Sequence, residues 1–153
     1  VDPWFLVGDY PELAHLIRQA RLINDSMPDF VLERTEQIME ENGITDFDRV
    51  GFYGLTYKEN VDDVRESPTL QLIESMKRHL APSPKCYDPM VKKQITPRQY
   101  QDFQAFVQDI DLMVVMICHD HLKECCGDVT GKVILDTRNC GKIWPAGNTV
   151  YSL

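Results

Sequence analysis

The sequence is short of several features that would each have pointed to a function. No run approaches the roughly 20 apolar residues that a membrane helix needs. The first residues lack the basic-then-apolar pattern of a secretory signal. Positive charge is scarce: 16 Lys and Arg stand against 24 Asp and Glu, for a net charge of −8. Generic nucleic-acid binding needs a basic face to displace counterions, so this balance argues against that class. An anionic ligand would have to be held by a few placed cations against an unfavourable global field. The five cysteines are an odd count without the spacing of a disulfide framework. That fits a reducing, cytoplasmic setting. No Gly-x-Gly-x-x-Gly dinucleotide fingerprint occurs, and Gly51-Phe-Tyr-Gly54 is too short and precedes the wrong loop. Internal repeats and low-complexity tracts are absent, and no Ser/His/Asp or Cys/His nucleophilic arrangement can be assembled.

What is present is enough chain for one domain with a real core, 153 residues. Residues 1–10 read as an irregular lead-in with an exposed Trp4-Phe5 pair. From Pro11 the pattern turns helical, with Leu13, Leu16, Ile17, Ala20 and Ile23 at three- and four-residue steps. Pro28 either kinks this helix or starts a second one, which runs through Val31, Leu32, Ile38 and Met39 to a stop at Asn42-Gly43. Apolar residues on more than one face predict that the arm packs both on its own domain and on a second subunit; an ordinary helical hairpin is the alternative. Beyond Arg49 the chain alternates: strand 50–55, helix 68–80 with a Leu70, Ile73, Met76 and Leu80 stripe, and a short strand at Cys86-Tyr87. A helix over 98–107, an apolar strand 112–117, a short helix over 120–126 and a strand 132–136 follow, with a loop-like tail from Gly141. The order predicts an α/β, Rossmann-like parallel sheet with helices on both faces, preceded by a long helical arm.

The chain is organised around residues 50–68. A short apolar run with Gly51 and Gly54 reads as a buried strand, and a loop follows with Lys58, Asn60, Asp62, Asp63, Arg65 and Glu66. Ser67-Pro68 then starts a helix, because the Ser hydroxyl caps a free N–H and Pro suits the first helical position. In open α/β sheets the crevice beyond the carboxyl ends of the strands takes the ligand. There, Lys58 and Arg65 with the helix-start N–H groups could hold a phosphate. Each candidate also has a plain reading. Lys58 could be a solvated loop lysine, and Arg65 could pair with Asp62, Asp63 or Glu66 to stiffen the loop. Asp63 reads as holding Arg65 rather than as a general base. Arg138, beyond the strand 132–136, offers a forked guanidinium suited to a diphosphate or a uracil edge. Cys118-His-Asp-His121 with Cys125-Cys126 invites a zinc reading, but the spacing is not that of paired ligand loops, and no metal is assigned. Cys118 reads as the end of a buried strand, with His119 and His121 at the rim of the cleft.

Gly54-Leu-Thr-Tyr-Lys-Glu-Asn-Val-Asp-Asp-Val-Arg-Glu-Ser-Pro68 resembles a signature of the UDP-glucose/GDP-mannose dehydrogenase family, in its third domain. Three further stretches resemble the same family in the same order: Val1-Asp-Pro-Trp-Phe-Leu6, Cys86-Tyr-Asp-Pro89 and Leu135-Asp-Thr-Arg-Asn139. The resemblance spans essentially the whole chain. The Asp-Pro-Trp-Phe wording is similar to the branch that oxidises UDP-N-acetyl-D-mannosamine to its uronic acid with NAD.

The resemblance implies a division into an inter-domain helical arm over 1–45 and a C-terminal UDP-sugar-binding α/β domain over 46–153. It implies that Lys58 and Arg138 contact the UDP-sugar, Arg138 in some members across the subunit boundary, and that Arg65 faces the dinucleotide. It implies homodimerisation through the arm, and Asp2 as a residue that assists catalysis four positions after a nucleophilic cysteine. In the family that cysteine carries an enzyme-bound thiohemiacetal. None of the five cysteines here stands in its context, so the chain by itself is expected to show no turnover. UDP-N-acetylglucosamine or UDP-glucose as substrate, or a stand-alone nucleotide-binding or dimerisation module, are the alternatives.

Overall fold

The strands of this chain carry apolar side chains on both faces, and this decides the architecture. The computed structural model describes residues 3–78 and 82–153. Six strands form one all-parallel sheet, β1 (Val50–Tyr53), β2 (Lys85–Tyr87), β3 (Gln99–Tyr100), β4 (Leu112–Val115), β5 (Val133–Asp136) and β6 (Thr149–Ser152). Their order is β3-β2-β1-β4-β5-β6. A parallel sheet must be covered on both sides because its crossovers are helices. Alternate residues therefore supply two cores. Val50, Phe52, Leu112, Val114 and Leu135 face α2 (His15–Glu41) and α3 (Pro68–Arg78). Tyr53, Met113, Val115 and Ile134 face α4 (Phe103–Gln108) and α5 (Asp120–Cys125).

Gly51 sits where β1 passes under α4. A Cβ there would lie 2.6 Å from the Phe106 ring and 2.8 Å from Ile110 Cγ2. The close approach of helix to strand needs the missing side chain. Gly54 ends the strand at φ +100°, with the Ile117 backbone N 2.8 Å from where a Cβ would stand. Only glycine takes that backbone freely.

The lead-in is not irregular. Pro3–Asp9 form a helix, α1, which packs on α2 while Phe5 stays 71% exposed. Proline at its first position costs no hydrogen bond. Pro28 does not start a second helix: one 27-residue helix runs through it and stops at Asn42, with Gly43 at φ +68°. Only the second half of α2, from Pro28 onward, buries side chains, namely Pro28, Val31, Thr35, Ile38 and Met39. The helix predicted over 98–107 begins later, because residues 99–100 pair with β2 as an edge strand and Asp102 caps the helix by accepting from Ala105 N at 2.7 Å. The tail is not all loop: Thr149–Ser152 pair with β5 and close the sheet on the other edge. Tyr151 ties that edge to the arm, accepting from Asn42 Nδ2 at 3.0 Å under the Arg34 guanidinium. Leu80, predicted as the last residue of the α3 stripe, lies outside the described residues.

Candidate nucleotide-sugar site

Strand order reverses between β1 and β4, so the crossovers leave in opposite directions and a crevice opens at the carboxyl ends of these two strands. The loop 54–67 leaves β1 there, and 116–119 leaves β4. Asp88, just past β2, anchors both. Its Oδ2 accepts from Leu55 N at 2.6 Å and Thr56 N at 3.2 Å, and its Oδ1 accepts from Met90 N at 2.7 Å. His119 Nε2 lies 3.2 Å from the same Oδ2. Burial pushes the Asp88 carboxyl up, but hydrogen bonds from His119, Leu55 N–H and Met90 N–H outweigh it, and its pKa ends below the ordinary value.

His119 is not at the rim of the cleft. It is fully buried, and its Nδ1 accepts the backbone N–H of Asn60 at 2.9 Å. An N–H can only donate, so Nδ1 is the bare nitrogen and the proton sits on Nε2, facing Asp88 and Thr56. Asn60, at φ +57°, also exchanges two side-chain bonds with the start of α5: Nδ2 donates to Asp120 Oδ2 at 2.8 Å, and Oδ1 accepts from Asp120 N at 3.0 Å. Thr56 Oγ1 donates to the Lys58 carbonyl at 3.0 Å, and Tyr57 N donates to Asp63 O at 2.7 Å. The loop backbone is fixed on both sides of Lys58.

Lys58 itself is exposed and has no hydrogen-bonded or charged side-chain partner among the described residues. Arg138 is likewise exposed and unpaired among the described residues, on a turn that Asp136 pins by accepting from Arg138 N at 3.0 Å and Cys140 N at 2.9 Å. The strand that Arg138 follows, β5, is not the last one, but it does lie beside β4, so the two cations flank β4 on one sheet edge. Two strand spacings separate their loops, about 10 Å. Arg65 is different. Its side chain, 87% exposed, donates from Nε and Nη2 to Asp63 at 2.7–3.2 Å, which leaves Nη1 unengaged among the described residues. The hydrogen bonds from Arg65 hold Asp63 at about 2, so Asp63 is an anchor and not a base. Ser67 caps α3 as predicted, accepting from Leu70 N at 3.2 Å. Asp2 lies outside the described residues.

His121 stands apart from His119. Its ring stacks on Tyr53, with Nδ1 3.2 Å from Tyr53 Oη and Nε2 3.4 Å from Tyr87 Oη. Burial lowers its pKa. No group of three or more His, Cys, Asp or Glu among the described residues is arranged to hold a metal ion. No described helix is long and apolar enough to cross a membrane.

Lys58 and Arg138 thus stand exposed on two loops at the carboxyl edge of an all-parallel Rossmann-like sheet. The chain belongs to the UDP-glucose/GDP-mannose dehydrogenase family: residues 51–143 match its UDP binding domain. It is 37% identical over 147 residues to the UDP-N-acetyl-D-mannosamine dehydrogenase of Methanocaldococcus jannaschii, covering 91% of this chain and 33% of that protein. It is 31% identical over 154 residues to an NDP-N-acetyl-D-galactosaminuronic acid dehydrogenase of Ralstonia nicotianae, covering 95% and 34%. Among solved structures it is similar to the UDP-N-acetyl-mannosamine dehydrogenase Cap5O from S. aureus, with TM-score 0.79 and 32% identity over 99% of this chain and 36% of that one. The chain thus spans about a third of the length of these relatives.

Proposed function

We propose that the chain is the C-terminal UDP-sugar-binding part of a nucleotide-sugar 6-dehydrogenase that oxidises UDP-N-acetyl-D-mannosamine to its uronic acid with NAD. In this reading residues 1–45 are the inter-domain arm and 46–153 the UDP-sugar-binding domain. The observation that carries it is the pair Lys58 and Arg138, both exposed, both without a partner among the described residues, and both on loops whose backbone is pinned by buried carboxylates. A diphosphate is an extended dianion, and two cations on loops whose strands lie about 10 Å apart along one sheet edge can grip it and its sugar or uracil from opposite ends. The net charge of −8 makes such local placement necessary.

NAD supplies hydride acceptance when bound. Among the described residues Arg65 fits it: Nη1 can meet a dinucleotide phosphate while Asp63 fixes the rest of the guanidinium. The larger part of that site belongs to sequence outside 1–153. Asp2 assists the chemistry beside the nucleophilic cysteine, and the protein works as a cytoplasmic homodimer joined through the arm. The names of the relatives support the N-acetylhexosamine class of substrate.

The test is steady-state kinetics of the full-length enzyme on a panel of UDP-sugars, following NADH. A charge-assisted hydrogen bond contributes roughly 1.5–3 kcal/mol. Lys58→Ala and Arg138→Ala should therefore each cost about ten- to a hundred-fold in kcat/KM for UDP-N-acetylmannosamine. Arg65→Ala should act on the KM for NAD instead. Unchanged sugar kinetics in both Lys58→Ala and Arg138→Ala would remove these loops from the site.

A further inference from the structure

Lys58 gains its position from its neighbours, since among the described residues its side chain touches nothing that could hold it. The backbone around it is fastened at three points. Residues 55 and 56 donate to Asp88, the carbonyl of residue 58 accepts from Thr56 Oγ1, and residue 60 donates to His119. His119 joins the fastenings. It accepts from the far side of the loop through Nδ1 and meets Asp88 and Thr56, on the near side, through Nε2. It does so from the loop after β4, across the switch-point crevice, as the residue that precedes α5. An imidazole buried in a core with no ligand contact is costly unless both nitrogens are satisfied. Here both are satisfied, and both by the loop or its anchor.

We propose that His119 is a positioning residue for UDP-sugar binding: through Asn60 N–H on one side and Asp88 on the other, it sets the loop conformation that presents Lys58 to the ligand. The contact to Asn60 carries the function and the contact to Asp88 carries the fold. Asn60 adopts a left-handed backbone that a non-glycine residue takes at a cost, so the bond to Nδ1 offsets strain just two residues from Lys58. Without that acceptor the Asn60 amide relaxes, and Lys58 samples positions that miss the phosphate. The inference rests on the reading that Lys58 contacts the UDP-sugar.

The experiment uses the full-length enzyme and measures KM for the UDP-sugar and for NAD in Lys58→Ala, His119→Ala and the double variant. His119→Ala should raise the sugar KM about tenfold and leave the NAD KM within about twofold. The double variant should be no worse than Lys58→Ala alone, because a residue acting through Lys58 has nothing left to position. Independent, multiplying effects would overturn the proposal, as would an unchanged sugar KM in His119→Ala. A normal sugar KM in Lys58→Ala would overturn the underlying reading of the site, and with it this one. Where His119→Ala does not fold, His119→Asn and His119→Gln carry the test. Asn places an acceptor where Nδ1 stands, and Gln places a donor where Nε2 stands. His119→Asn should keep the sugar KM near the parent value and His119→Gln should raise it; equal values, or the reverse order, would overturn the role of the Asn60 contact.

Discussion

Single residues in this chain divide into those that act and those that leave room, and Gly51 is the clearest of the second kind. Its missing Cβ is what lets Phe106, itself fully buried, lie on β1. Gly51→Ala should destabilise the fold by about 1–3 kcal/mol, the cost of overpacking a filled core. Phe106→Leu in the same chain should recover part of that loss, which denaturant titration of the single and double variants would show. What the sequence offered about the candidate site differs by residue. Lys58, Arg65 and Arg138 stand out as cations on loops that follow apolar runs, and the Asp63–Arg65 pair because the partners are two residues apart. Asp88 and His119 could not be given their roles. Their bonds to Leu55, Thr56 and Asn60 span 32 to 63 residues, and nothing local in Asp-Pro or His-Asp announces them. Asp88 was marked only as part of the Cys86-Tyr-Asp-Pro89 stretch, and His119 only as a residue at the rim of the cleft.

At the scale of elements, the arm shows how far periodicity reaches. The 3.6-residue pattern marks the stop of α2 at Asn42-Gly43 but starts the helix at Pro11, where α2 begins only at His15, and it cannot tell a Pro that opens a second helix from one inside a continuous helix. The two-residue β3 and the four-residue β6 escaped for a related reason: edge strands are short, half exposed and lack the apolar run that marks β4. The first half of α2 carries no buried residue, and Leu13 and Leu16 are 84% and 82% exposed beside Leu6, Tyr10, Ala14 and Ile17, which line an apolar hollow of about 350 Å³. Contiguous apolar surface of this kind marks an interface more often than free surface. Ile17→Asp should give a monomer whose circular dichroism still reports a folded α/β core. If light scattering finds the unmutated chain monomeric at tens of micromolar, a typical working range for weak assembly, the arm does not join two copies.

For the molecule as a whole, with a net charge of −8, acid stability follows from where the carboxylates are used. At the amino edge of the sheet Arg98, then Lys85, hold Asp48 at about 2 by hydrogen bonds. Lys85 lowers Asp109 and Arg49 lowers Asp111, and Tyr100 donates to Asp109 as well. At the carboxyl edge Arg65 holds Asp63 at about 2, and Asp88 is lowered despite its burial. A carboxylate whose folded pKa is depressed contributes stability that is present above its unfolded value and lost as pH falls through the folded one. These groups therefore act together below about pH 4. His121 gives an earlier step. Burial lowers its folded pKa, so between that value and about 6.5 the unfolded chain binds a proton that the folded chain refuses. Stability should thus decline first as pH falls through about 6.5, and again, more steeply, below about 4. His121→Phe keeps a ring against Tyr53, Tyr87 and Phe103 but cannot titrate. It should lower stability at every pH, because two phenol hydroxyls lose a partner. It should also flatten the denaturant midpoint between pH 7.5 and 5.5 while leaving the acid limb in place. A midpoint that falls equally in parent and variant across that interval would mean that His121 is not the group the folded state keeps neutral.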